Sequence, residues 1–217
     1  MSSLTFYTHP MSRGQTVRWM LEEVGEPYET EILDYGTTMK SEPYLSINPM
    51  GKVPAIRHGD KVVTEVAAIC CYLADAFPQA GLAPPPSDRA DYYRWIFFTS
   101  GPVEAAFSNK AAGWEPTPER QRMFGYGNYD LAIGTLEKAL TGRQYIAADH
   151  FTAADLFVGA NINFMLAFKL LEPKPVFTDY AARMTDRDAF RRARDIDGKL
   201  IAEIQAKQAP QETVNAE

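Results

Sequence analysis

The stretch FPQAGLAPPPSDRA, residues 77–90, is the strongest constraint on what this 217-residue chain can become. Proline lacks the N–H donor and clashes with the preceding turn, so a run this rich in proline and glycine can neither continue a helix nor lie inside a central strand. It reads as a linker, residues 79–87, between two regions of different period. In residues 1–78, short alternating runs give way to helical spacing and back again. In residues 88–217 only helical spacing is found.

Within the first region, Leu4–Thr8 reads as a strand, and residues 13–24 as a helix whose apolar face carries Val17, Met20, Leu21 and Val24. YETEIL alternates as a second strand. Gly59-Asp60 supplies a tight turn between residues 53–56 and 61–63, making a hairpin. Residues 65–77 close the unit as a helix, with Val66, Ile69, Cys70, Leu73 and Phe77 on one side. The order is βαβ, a loop, then ββα. In the second region, Ser87 is placed to cap a helix carrying Tyr92, Trp95 and Phe98, which Gly101-Pro102 should kink or interrupt. Thr117-Pro118 offers a capping hydroxyl before a first-turn proline, and Met123, Tyr126, Ile133, Leu136 and Leu140 follow at helical spacing. TAAD, residues 152–155, has the form of a capping box with Asp in place of Glu. Two further helices are expected from about Pro175 and Asp188, and a loose tail over residues 208–217.

Composition excludes several functional classes. The longest apolar runs fall far short of the roughly 20 residues a membrane span needs, so no membrane segment is expected. The start, MSSLTFYTHP, has neither the basic stretch nor the apolar block of a secretory signal, and a cytoplasmic location follows by default. A net charge of −6, with no dense basic cluster beyond FRRAR at residues 190–194, argues against nucleic acid as a partner. The two cysteines, Cys70 and Cys71, are adjacent on a helix, which suits neither a disulfide framework nor a metal site. They read as small apolar core residues.

Four stretches now matter: HPMSRGQTVRWMLEEVG, YLSINPMGKVPAI, TEVAAICCYLADAF and FTAADLFVGA. In this order and spacing the chain resembles the cytosolic glutathione transferases, most closely the serine-type bacterial and plant classes. The resemblance covers almost the whole length. It implies a thioredoxin-like N-terminal domain that binds glutathione and an all-helical C-terminal domain that supplies the pocket for the acceptor substrate. It also implies a homodimer, a role in detoxification, and no metal or cofactor beyond glutathione as co-substrate.

The resemblance assigns the site residue by residue. The bond before Pro54 is expected to be cis, turning the backbone of Val53 outward to pair with the cysteinyl residue of glutathione. Glu65 opens a helix where the dipole favours anions and would hold the γ-glutamyl end. The family's serine after this Glu is Val66 here, so one hydroxyl hydrogen bond, worth about 1 kcal/mol, is missing. Lys40 and Lys52 match positions facing the glycyl carboxylate.

Ser12 stands in the loop before the first helix. Free thiols have a pKa of about 8.5, so only a few per cent is thiolate near neutrality. Lowering that value by about two units means favouring the anion by roughly 2.7 kcal/mol. A hydroxyl donor at a helix N-terminus combines a hydrogen bond to sulfur with the helix dipole. Anchoring on PMS selects Ser12 for that role, whereas counting back from Val17-Arg18 puts Met11 in the usual slot. Tyr7, at the end of the first strand, is the alternative donor, and a site without a side-chain donor is a third. The expected activity is transfer of glutathione to a small, mostly apolar electrophile. Glutathione-dependent isomerisation, peroxide reduction or dehalogenation is an alternative, as is a non-catalytic interaction protein of the same fold.

Overall fold

The computed structural model describes residues 3–208; the tail expected over 208–217 lies almost wholly outside them. Four strands, β1 (Leu4–Thr8), β2 (Glu29–Ile32), β3 (Ala55–His58) and β4 (Lys61–Thr64), form one sheet in the order β2-β1-β3-β4. β1 runs parallel to β2 and antiparallel to β3, and β3 pairs antiparallel with β4 across the Gly59 turn, where φ is +62°. Helices α1 (Gly14–Val24) and α3 (Val66–Ala76) cover one face. The short α2 (Glu42–Leu45), in a segment whose sequence reads as loop, lies against the other. This is the expected thioredoxin-like arrangement.

Alternation along β1 divides the two faces. Leu4 and Phe6 enter the main core with Val17, Met20 and Leu21 of α1 and Ile69, Cys70 and Leu73 of α3. Tyr7 points the other way, into a small cluster with Leu33, Met39, Tyr44 and Ala55. A side-chain period of two in a strand produces this split.

The helical part comprises α4 (Ala90–Phe98), α5 (Glu104–Ala111), α6 (Tyr129–Leu140), α7 (Ala153–Ala167), α8 (Pro175–Thr185) and α9 (Asp188–Gln208). Pro102 does not break the chain between α4 and α5. The missing N–H is absorbed in a single wide turn, Thr99–Val103, and the helical path continues. Two sequence expectations need correction. Ser87 lies in the one-turn helix Pro86–Asp88, so α4 starts without a side-chain cap. The helix expected from Thr117 begins only at Tyr129, because Gly127 adopts φ +67° and the Asn128 side chain then accepts the Leu131 N–H as the cap.

The capping box at Thr152–Asp155 is present and deeply buried. The Asp155 carboxylate accepts from Ile146 N–H at 2.8 Å, Thr152 N–H at 3.0 Å, the Thr152 hydroxyl at 2.9 Å and the Tyr180 hydroxyl at 2.8 Å. One side chain thus ties the start of α7 to α8 and to the preceding loop. α9 in turn is pinned across α1. Arg18 pairs with Asp197 at 3.0 Å, both buried, while Arg192 pairs with Glu22 at 3.0 Å and Arg187, at the entry to α9, with Glu23 at 2.6 Å. The sheet unit and the helices therefore share one continuous core.

Candidate active site: a cleft in two compartments

Two cavities adjoin along the seam between the sheet unit and the helices, and Arg13 and Thr16 line both. The first, of about 380 Å³, is walled by Asn48, Lys52, Val53, Pro54, Glu65 and Val66 from the sheet unit, and faces Ser100, Glu104, Phe157 and Asn161 of the helices. The second, of about 150 Å³, lies between α1, α7 and α9, with Ser12, Trp19, Phe164, Phe168 and Phe190 among its walls.

The 48–54 turn is built by side chains that grip its backbone. The carbonyl of Lys52 accepts from the Tyr44 hydroxyl and from Asn48 Nδ2 at 2.8 Å, and Asn48 Oδ1 accepts the Met50 N–H at 3.1 Å. Gly51 sits at φ +56°, with a hypothetical Cβ only 2.9 Å from the Met39 carbonyl, so no other residue fits without displacing the turn. The Val53–Pro54 bond is cis, as expected. Lys52 exposes its side chain at the cavity. Lys40 does not line it: its ammonium donates to the carbonyls of Met50 and Gly51 at 3.1 and 2.7 Å and braces the turn from behind.

Glu65 occupies the N-cap position of α3 at φ +66°, ψ 120°, and its side chain makes no capping hydrogen bond. A glutamate gains nothing from this backbone conformation, which costs of order 1–3 kcal/mol and concentrates at functional sites. Capping does not account for it, and Glu65 is left exposed at the cavity wall beside Val66.

Ser12 stands on the other side. Its hydroxyl donates to the His9 carbonyl at 2.6 Å and accepts the Gly14 N–H at 2.9 Å. Gly14 is forced by the same packing, since a Cβ there would lie 2.0 Å from Thr8 Oγ1 and 2.9 Å from Ser12 Oγ. The loop has a second anchor in His9, a polar neighbour whose sequence position allowed it to brace the loop, with Tyr35 as a partner that the sequence did not announce. His9, buried, accepts the Met11 N–H on Nδ1 at 3.2 Å, its ring packs 4.5 Å from that of Tyr35, and the Tyr35 hydroxyl donates to the Met11 carbonyl at 3.2 Å. Burial holds the His9 imidazole below its usual pKa, with Asp34 opposing. Met11 is exposed.

Tyr7 is 1% exposed beneath Tyr44, lines neither cavity, and has its hydroxyl pKa raised by burial, with Arg57 opposing. Arg13 forms the partition. Its guanidinium donates to Asn161 Oδ1 at 3.0 Å, pairs with Glu104 at 3.2 Å and stacks over Phe164 at 3.9 Å. Nothing in the sequence links Arg13 to partners 91 and 148 residues away. Cys70 and Cys71 are buried and half-buried, with thiol pKa values pushed up by burial, and neither lines a cavity.

Comparison with known proteins identifies the family and the fold. The family model for the glutathione S-transferase N-terminal domain matches residues 11–76. Glutathione S-transferase 1 of Schizosaccharomyces pombe is 30% identical over 158 residues, covering 67% of this chain and 68% of that protein. The crystal structure of a glutathione transferase from Methylococcus capsulatus superposes with a TM-score of 0.74 at 27% identity, over 90% of this chain and 99% of the other. A glutathione transferase homologue from Sulfitobacter, solved with bound glutathione, gives 0.69 at 26% identity, over 90% and 98%. The chain belongs to the glutathione transferase family of enzymes.

Proposed function

We propose that the enzyme binds glutathione in the first cavity and transfers its sulfur to an apolar electrophile held in the second. The observation that carries this reading is the strained, uncapped Glu65, presented beside Val53, Pro54 and Lys52 in a cleft that continues past Arg13 to Ser12. The relative from Sulfitobacter holds glutathione, which supports the same ligand here. The division of labour follows: residues 1–78 hold the tripeptide, residues 88–217 shape the acceptor compartment, and 79–87 connect them.

Ser12 is the donor to sulfur. By accepting the Gly14 N–H, its hydroxyl is polarised towards donation. Turning the O–H from the His9 carbonyl to sulfur exchanges a neutral acceptor for a charged one, a net gain of about 1–1.5 kcal/mol. The positive end of α1 adds about 1 kcal/mol, and the two together approach the roughly 2.7 kcal/mol that lowering the thiol by about two units requires. The thiol proton passes to solvent, the thiolate attacks the electrophilic carbon, a C–S bond forms, and the leaving group departs with its electron pair. Val66 contributes no hydroxyl to glutathione, so its γ-glutamyl carboxylate relies on backbone N–H groups and Glu65 on the amine. Lys52 faces the glycyl carboxylate, and Lys40 supports that turn rather than the ligand. A cytoplasmic detoxifying homodimer fits this chemistry, and exposed Tyr93 and Phe97, one turn apart on α4, support self-association.

Titrating the thiolate absorbance of bound glutathione against pH tests the role of Ser12. The wild type should show a thiol pKa about two units below the free value, and Ser12→Ala should return most of that shift. An unchanged titration in the variant removes Ser12 from the mechanism.

A further inference from the structure

The acceptor compartment is aromatic, but it is not neutral. Trp19 and Phe190 meet edge to face at 4.9 Å, and Phe164 and Phe168 lie 4.6 Å apart, giving flat walls suited to a planar ring. Three charged side chains line it: Arg13, Arg194 and Asp197. Two of these are already neutralised by partners outside the lining. Glu104 pairs with Arg13 at 3.2 Å, and Arg18 holds Asp197 at 3.0 Å. Arg194 differs from both. Its guanidinium donates to the neutral Gln15 Oε1 at 3.2 Å, and Asp197, three residues along α9, couples to it only at longer range while bound to Arg18. Among the described residues, the cavity therefore carries one positive charge without an ion-pair partner, at an aromatic wall.

We infer that the acceptor compartment selects planar aromatic electrophiles bearing a carboxylate or similar anionic group, with Arg194 as the residue that sets this preference. The inference rests on the reading above that the acceptor lies on the Ser12 side of Arg13. Arginine suits the task because its planar fork binds a carboxylate through two parallel hydrogen bonds and stacks on aromatic faces. Gln15 yields readily, since it gives Arg194 a hydrogen bond without a charge. The reaction is unaltered in its balance: for a chloronitroarene the thiolate attacks the carbon bearing chlorine, the C–S bond forms, and chloride leaves with the C–Cl electron pair.

The test compares 4-chloro-3,5-dinitrobenzoate with its carboxamide in the wild type, Arg194→Gln and Arg194→Lys, reading KM for transfer and Kd by equilibrium dialysis without glutathione. The wild type should bind the benzoate about fivefold better than the amide; Arg194→Gln should erase that preference by weakening the benzoate alone, and Arg194→Lys should retain part of it. High salt should shrink the wild-type preference, as for any partly exposed ion pair. Equal affinities in the wild type, or an equal loss for both ligands in Arg194→Gln, overturn the inference. Selective binding of the benzoate with no turnover of either compound would contradict the transferase reading and leave the charge selection standing.

Discussion

The two compartments of the cleft are made in different ways. The first cavity, proposed above to hold glutathione, is a backbone construction: the 48–54 turn is gripped by Tyr44, Asn48 and Lys40, Gly51 is sterically required, and Glu65 is held at a positive φ. The second, proposed to hold the acceptor, is a side-chain construction, assembled from α1, α7 and α9 by Trp19, Phe164, Phe168, Phe190 and Arg194. A backbone site recognises one invariant ligand and tolerates little change. A side-chain site can be rebuilt by substitution without altering the fold. Affinity for glutathione and choice of acceptor should therefore be separable by mutation, except where one element supports both.

That shared element is α7, which gives Phe157 and Asn161 to the first cavity and Ala160, Asn163 and Phe164 to the second. The largest effect should come from its anchor. Asp155→Ala leaves the Ile146 N–H and the Tyr180 hydroxyl without their buried acceptor, and should lower unfolding free energy by about 3 kcal/mol. Chemical denaturation measures the loss, and both ligand affinities should fall together in the protein that remains folded. A loss confined to one compartment would show that α7 does not serve both.

Glu65→Gly should pull the compartments apart. Glycine accepts φ +66° without strain, so stability should rise by about 1 kcal/mol while glutathione affinity falls about tenfold. KM for the acceptor should hardly move. Thermal unfolding and glutathione calorimetry on one preparation give both numbers. If stability falls, the backbone at Glu65 is held by something other than function.

The smallest effect belongs to the loop between the compartments. Burial depresses the His9 pKa, with Asp34 opposing, so protons bind the unfolded chain more readily than the folded one. The stabilising contribution is complete above the ordinary histidine value of about 6.5 and is lost as pH falls through the depressed folded value. The Met11 N–H contact to Nδ1 is lost with it. Stability measured from pH 7.5 downward should decline in the wild type, and His9→Gln should flatten that part of the curve. Identical curves would remove His9 as a brace of the Ser12 loop.

The same contrast explains what could be read from the sequence. The order of strands and helices along the chain, the helices flanking the linker and the capping box are local, because turn chemistry and periodicity act over a few residues; the cavity walls at Lys52, Val53, Pro54 and Glu65 were legible only through the family resemblance of the motifs that carry them. Where local signals misled, local conformation also explains why: Gly127 and Asn128 moved the start of α6 past Thr117. The partition by Arg13, the clamp of His9 on Tyr35 and the buried Arg18–Asp197 pair join residues far apart in the chain. No short window contains both partners, so the resemblance pointed to the helical region for the acceptor pocket but the individual walls of the second cavity could not be read. Lys40 shows a finer gap. Its position matched a ligand contact, but its ammonium is committed to two carbonyls of the turn.

The most direct test of the divided cleft is a crystal structure with the dinitrophenyl conjugate of glutathione. The peptide should lie against Val53 and Glu65, the sulfur within hydrogen-bonding reach of Ser12 Oγ, and the aryl ring beyond Arg13 against Phe164 and Phe168. A conjugate whose sulfur lies away from the Ser12 loop, or whose ring sits on the glutathione side of Arg13, would contradict this placement.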